Sequence, residues 1–491
     1  MSVSKQSSEI MLLEPPAKRF RGMEEEDDEG RRDGTNPALK VMPEDVIHNI
    51  FSFLPIKDAV QTGIVSPKFR RSWQFCRHLN FGTEFARGKA RPEYMSIVDK
   101  VFHLHSGSKI QTLRLCFIPI EVEAMVENWI RQAIQKEVEE LELNFLQDKT
   151  RYKLPSEFLD VPSLKVLRLC CCEIDLSPDV QGLRLLQTVV LRKIQLKLKM
   201  IDTVFKTCNL LESFDMTECY GAAGRLKVFA DNLKRFKVLK VGNCKDLSEI
   251  QIINAPYLHT VFYQGKFIPL KFENTPWLNN VMINFSKPRG FTRYPQIGNL
   301  ANDLSRVLTL TVSSPFVEEL SSSMVYGLQF AFPYLKELQL IMEGTRYCNV
   351  YDIACLLDKC PSLERLFIDF NGCSFEGGKY WKLHQNHMIN KFMNNLNSLK
   401  LVKLNGFRFL EHEAELGKFL MERARFIEVL LLITPQNSRV KINIPDAIHC
   451  HSLFMHWKSP RTKIVVLEHL HDTNWICPSQ PKIWYDNLNL V

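Results

Sequence analysis

An α/β repeat fold is predicted, in which three short helices lead into a stack of repeats whose strands form a curved parallel sheet with helices or loops outside. Three observations predict it. An L-x-x-L-x-L pattern returns thirteen times beyond residue 100, a proline-bounded amphipathic stretch occupies 42–73, and the first 38 residues lack apolar periodicity.

The amino-terminal 38 residues read as a solvated tail. "PPAKRFRG" at 15–22 is followed by acidic residues from Glu24 to Glu29 and then by Gly30, Gly34 and Pro37. Such a segment carries too little apolar surface to offset its ordering entropy. Lys18, Arg19 and Arg21 also make a basic cluster of the nuclear-import kind, so residence in nucleus and/or cytoplasm is expected.

Residues 42–73 read as three short helices. Pro43 suits a helix start, and Glu44 and Asp45 place negative charge at its positive end. Val46, Ile50 and Leu54 fall at i, i+4 and i+8, with Ile47 and Phe51 widening the stripe. Pro55 ends this helix and opens a second near Lys57 to Gly63; Ser66 and Pro67 start a third carrying Phe69 and Trp73. So small a unit cannot cover all its apolar groups, and the surplus has to meet the repeats or another protein.

The repeats begin with Ile110/Leu113/Leu115, Val138/Leu141/Leu143 and Leu164/Leu167/Leu169, and end with Ile427/Leu430/Leu432. Twelve steps from Leu115 to Leu432 cover 317 residues, about 26 per step, inside the range of leucine-rich repeats. The last two apolar positions of each copy point to one side of a strand, and no strand buries that side alone. Prolines in "VPSL", "APYL", "TPWL", "FPYL" and "CPSL" halt the chain ahead of the strand. This gives a leucine-rich-repeat solenoid over 100–435.

The phase of the repeat also interprets "LRLCCCEI" at 167–174. The residue three beyond the last strand position turns inward, and it is Cys172, Cys219, Cys244 and Asn371 in four copies. A buried ladder of small side chains is expected. Cys170 and Cys171 flank the strand exit, with at least one on the open side. Structural zinc needs four convergent ligands, which "CCC" does not supply.

Composition excludes little else. Net charge is +8 with 55 acidic residues among 491, too balanced to argue for nucleic acid. Apolar runs such as "VLLLI" at 429–433 are far short of a bilayer span of ~20 residues. No early apolar region resembles a signal peptide, so an intracellular protein with its 14 cysteines mostly reduced is expected. Catalytic patterns fail as well. "CSFEGGKY" at 373–380 lacks the first glycine and the hydroxyl of a phosphate loop, and "HEAEL" at 412–416 lacks the second histidine of a zinc helix. His449, Cys450, His451, His456, His469, His471 and Cys477 fit no zinc spacing. No metal, cofactor or catalytic residue is expected.

"MPEDVIHNIFSFLPIKDAVQTGIVSPKF" resembles an F-box, whose plant form runs roughly "LPdevl-x-x-Il-s-x-Lp-x-kda-v-x-t-s-x-lSkrW". It departs at Met42 and at Pro67 and Phe69. Residues 397–435, "NSLKLVKLNGFRFLEHEAELGKFLMERARFIEVLLLITP", resemble the FBD region: a strand, "GF", an acidic turn, an amphipathic helix and a second strand. The order of features is similar to plant F-box/FBD/LRR-repeat proteins. The resemblance implies an F-box at 39–80, repeats at 100–435 with the FBD-like region at 390–435, and a cap or tail at 436–491.

It further implies a non-catalytic substrate receptor of an SCF-type cullin-RING ubiquitin ligase. Pro43, Val46, Ile50, Leu54, Val60 and Val65 are then expected to contact a Skp-type adaptor, which connects to a cullin, while the repeats hold an unidentified protein target. The alternative is a repeat scaffold or small-ligand receptor working without ubiquitin transfer. The step from Ile368 to Leu404 is 36 residues, and extra length in a repeat maps to one face. Lys379, Tyr380 and Trp381 in that stretch are expected to contact the target.

Overall fold

A computed structural model of the chain describes residues 42–65, 69–145, 151–174, 182–221, 224–286, 296–325, 329–344, 350–373, 395–409, 411–435, 462–469, 472 and 476–480. They fall into two compact units, one through residue 173 and the other from residue 174. Lys379, Tyr380 and Trp381, and the expected start of a third helix at Ser66 and Pro67, lie outside the described residues.

The first unit opens with α1 (Glu44–Ser52) and α2 (Ile56–Val65), followed by a 3-10 turn at Ser72–Phe75. Then come β1 (His78–Phe81), α3 (Arg91–Leu104), β2 (Thr112–Phe117), α4 (Glu123–Gln135), β3 (Glu140–Phe145) and β4 (Val166–Cys170). The strands are parallel neighbours in that order, with Leu79 beside Leu113, Leu113 beside Leu141 and Leu141 beside Leu167. Stacking equivalent leucines in register builds the continuous wall that one repeat cannot make by itself. Trp129 of α4, fully buried, lies flat on Phe102 of α3 at 6.2 Å and closes the outer layer.

The second unit continues the same design. Its strands are β5 (Thr188–Arg192), β6 (Ser213–Thr217), β7 (Val238–Gly242), β8 (Thr260–Gly265), β9 (Asn280–Phe285), β10 (Thr309–Ser313), β11 (Glu337–Gly344), β12 (Arg365–Cys373), β13 (Leu401–Asn405), β14 (Val429–Ile433) and β15 (Lys463–Leu467). All pair parallel in chain order. Helices α5 (Leu198–Thr207), α6 (Ile297–Asp303), α7 (Ser314–Val325), α8 (Val350–Leu357) and α9 (Glu411–Arg423) fill connections between them. Where the steps shorten to 22 and 20 residues, from Val241 to Tyr263 to Ile283, strands replace the helices. Gly224–Phe229, Leu247–Ile253 and Leu270–Glu273 pair parallel as a small second sheet.

Every position assigned to the thirteen repeats is at most 5% exposed. Parallel strands also lie outside residues 100–435: β1 in the first unit and β15 in the second. Each carries an altered motif. Cys76/Leu79/Phe81 has cysteine for the first leucine, and Arg461/Ile464/Val466 has arginine there.

The cysteine run resolves into three roles. Cys170 ends β4, Cys171 adopts left-handed backbone with φ 58°, and Cys172 turns inward with no exposure. Lys193, Glu218 and Asn243 adopt the same left-handed conformation two residues past the strand motif, followed by buried Ile194 and Cys219 and half-buried Cys244. One left-handed residue swings the chain out of the strand so that the next side chain points into the core. The Cys219 thiol donates to the Leu191 carbonyl of the preceding repeat at 3.3 Å, and Cys244 to Met216 at 3.7 Å. Burial pushes the Cys172 thiol up to about 12, so it is inert rather than nucleophilic. The expectation that Cys170 or Cys171 lies open is corrected: they are 9% and 6% exposed.

One buried carboxylate makes stability depend on pH. Asp352 on α8 accepts a hydrogen bond from the Ser321 hydroxyl of α7. Desolvation raises its pKa to about 7, the hydroxyl opposes that, and the Glu318 charge adds to it. Below about pH 4 both folded and unfolded chains hold the proton. Between about 4 and 7 the unfolded chain ionises first, so stability falls as pH rises and the penalty is complete above 7. Asp352→Asn is expected to stabilise the chain at pH 8 by on the order of 2 kcal/mol, with no difference at pH 4. Urea melts at both pH values test this, and a pH-independent difference refutes it.

Candidate interaction surfaces

Helix α1 carries apolar side chains on two sides, and among the described residues only one of them is packed. Ile47 and Phe51 are 3% and 4% exposed, and the Phe51 ring meets Phe69 at 5.5 Å. The Cys76 thiol donates to the Phe51 carbonyl at 3.3 Å, and the Arg77 amide to the Ser52 carbonyl at 3.1 Å. Pro55 bridges to His78 of β1, so the helices are welded to the first strand of their own unit. Helix α2 buries Ile56 and Ala59 on the same side.

The other side of α1 is open. Val46 and Ile50 are 41% and 48% exposed, and Phe53, which caps the helix, is 62% exposed. Spacings of four and three residues put them on one ridge. The Arg77 guanidinium stacks over the Phe53 ring at 5.6 Å, giving that ring a support at the end of the ridge. Pro43 is exposed beside it and Leu54 half-buried.

Val60 is 8% exposed and belongs to the core beneath α2, so it is not part of the open ridge. Val65 ends α2, but its side chain is outside the description. Phe53, exposed on this ridge, is not among the expected residues, because extending the stripe by four from Ile50 selects Leu54. An extension by three is equally helical and selects the exposed phenylalanine.

The outward side of the strands differs between the units. In the first, Arg114, Glu142 and Arg168 share a row, all half-buried, with Arg114 within 3.5 Å of Glu142. In the second, the corresponding row runs through Phe262, Met282, Thr311, Gln339, Phe367 and Lys403. None of these six is more than 8% exposed, although they alternate with the core-facing positions. Phe262 and Met282 join Ile341 in an apolar cluster of their own on that side. Among the described residues, no three His, Cys, Asp or Glu side chains converge as a metal site, and no helix is long and apolar enough to cross a membrane.

Comparison with known proteins agrees with this architecture. The family model for the LRR domain of At1g61320/AtMIF1 matches residues 101–466, and the F-box domain model matches 39–80. FBD-associated F-box protein At1g61320 of Arabidopsis thaliana is 30% identical over 88% of this chain and 96% of its own length. Putative FBD-associated F-box protein At1g61330 from the same plant is 28% identical over 83% and 93%. F-box/FBD/LRR-repeat protein At5g53840 is 22% identical over 80% and 87%. Thirteen buried repeats behind an F-box, together with a domain match across most of the length, establish that the chain belongs to the FBD-associated F-box/LRR-repeat proteins.

Proposed function

We propose that this protein is the substrate-recognition subunit of an SCF-type cullin-RING ubiquitin ligase. The ridge on α1 docks a Skp-type adaptor and the repeats hold the protein to be ubiquitinated. The observation that carries this reading is the open apolar line of Val46, Ile50 and Phe53 on a helix whose opposite side is fully used. Three apolar side chains in water on one ridge favour association, because burying each contributes about 1.5–3 kcal/mol before the cost of association. The chain itself performs no chemistry in this scheme, and it works in the nucleus and/or cytoplasm.

Co-expression of the full chain with a Skp-type adaptor and a cullin tests the proposal. Recovery of all three through a tag on this chain is the expected result. Recovery of the adaptor without cullin instead favours a scaffold that works without ubiquitin transfer. Recovery of neither refutes the assignment.

A further inference from the structure

Just ahead of β7 to β11, one repeat position gathers exposed rings and cations. Val238, Thr260, Asn280, Thr309 and Glu337 lie side by side in these consecutive strands. Three residues before each stand Arg235, Tyr257, Trp277, Arg306 and Tyr334, all exposed, and each is followed by a buried residue of its repeat. Tyr257, Trp277 and Tyr334 are 45%, 61% and 58% exposed. The strand ladder continues into this row and fixes its spacing. The Asn279 amide donates to the His259 carbonyl at 3.2 Å, the Leu308 amide to Asn279 at 2.9 Å and the Lys336 amide to Leu308 at 2.8 Å. The His259 ring also supports Trp277 from the preceding repeat, at 6.3 Å. Later copies place Ser362 and Ser398 at the same position, so the repeat itself does not require a ring there.

Charge and spacing say what the row accepts. Residues 234–237, 256–259, 276–279, 305–308 and 333–336 form this rim, and they hold five Lys or Arg and no Asp or Glu. The outer lysines are balanced from the flanking repeats, Lys237 by Glu212 at 3.9 Å and Lys336 by Glu364 at 2.7 Å. Arg235 and Arg306 have no ion pair among the described residues. Tyrosine, tryptophan and arginine without competing carboxylates are the composition of a protein-binding hot spot, and they complement an acidic partner. From Arg235 to Arg306 there are three strand spacings, about 14 Å, which is the length of about four residues of extended chain. Alternate residues of such a chain share a side. A nucleic acid strand would bring a phosphate at every nucleotide, and between the two arginines the rim offers two rings and no lysine or arginine.

We propose that this rim binds an extended, acidic segment of the target, in which a carboxylate, an apolar side chain and a second carboxylate occupy alternate positions. The carboxylates meet Arg235 and Arg306, and the apolar side chain lies over Tyr257 and Trp277. Resting on the receptor reading above, this names the chemistry of the target segment.

The test uses the full chain and three fluorescent probes. One is a peptide with glutamate at its second and sixth positions and phenylalanine at its fourth, one is its copy with lysine for both glutamates, and one is single-stranded polyuridine RNA. The expected result is salt-sensitive uptake of the glutamate peptide alone, weakened about tenfold or more by Trp277→Ala and by Arg306→Glu. Both side chains are exposed, so these variants should melt with the unaltered chain. Arg235→Glu combined with Arg306→Glu should take up the lysine peptide instead, a reversal that loss of folding does not produce. No uptake of the glutamate peptide, uptake indifferent to both single variants, or tighter uptake of polyuridine overturns the proposal. Adaptor recovery reports on the receptor reading separately. A chain that recovers adaptor and cullin but takes up no peptide defeats this proposal alone, and one that takes up peptide but recovers no adaptor defeats the ligase reading alone.

Discussion

Replacing Ile50 with aspartate is expected to weaken binding to a Skp-type adaptor at least a hundredfold, without lowering the stability of the free chain. The side chain is 48% exposed, so the folded state loses little when it is removed. Its burial against a partner contributes about 1.5–3 kcal/mol, and a carboxylate forced into an apolar contact adds a desolvation cost of similar or greater size. Together these exceed the roughly 2.7 kcal/mol that corresponds to a factor of one hundred. The neighbouring residue supplies the contrast. Phe51 is 4% exposed against Phe69, and Phe51→Ala is expected to cost about 3–5 kcal/mol of folding stability. Calorimetric titration with purified adaptor, paired with thermal melts, separates the two. If Ile50→Asp binds as tightly as the unaltered chain, the ridge is not the docking element.

The repeats were legible because their signal is local and recurrent. Leu338, Leu366 and Val402 lie in register across three strands because the same short pattern, read three times, places each on the same side. The two outer strands escaped because Cys76 and Arg461 stand where the pattern asks for a large aliphatic residue. The inward turn at Cys172 and Cys219 followed from the repeat phase. The left-handed residue ahead of each did not, because cysteine, lysine, glutamate and asparagine share no letter that announces a positive φ.

On α1 the alternation of Val46, Ile47, Ile50 and Phe51 showed two apolar stripes without saying which one the chain would cover. That choice is made by Phe69 and Cys76, through contacts 18 and 25 residues away, between Phe51 and each of them. The contacts of Ser479 and Gln480 with β11 and β9 were further from reach. Ser479 meets Glu337 across 142 residues and Gln480 meets Asn280 across 200, separations at which no periodicity operates.

Gly406→Val is expected to cost the second unit about 3–5 kcal/mol, seen as a lower midpoint in its urea transition. Gly406 follows β13 at φ 77°, in the left-handed region where a Cβ costs about 1–2 kcal/mol and a branched side chain more. Space is lacking too. A Cβ there would sit 2.8 Å from the Asn371 backbone nitrogen and 3.0 Å from the Phe370 carbonyl carbon. Those atoms belong to the preceding repeat and cannot retreat easily, because β12 and β13 are tied through Ile368 beside Leu404 and Asp369 beside Asn405. The chain cannot swing away on the other side either. Phe407, 1% exposed, is the inward residue of this turn, and its amide donates to the Ile433 carbonyl at 2.8 Å. Gly406→Ala carries the Cβ without the branch and should show a smaller loss in the same direction. Equal midpoints for glycine and valine would mean that the turn between β13 and α9 relaxes freely, and that the "GF" pair is not what holds the last repeats in register.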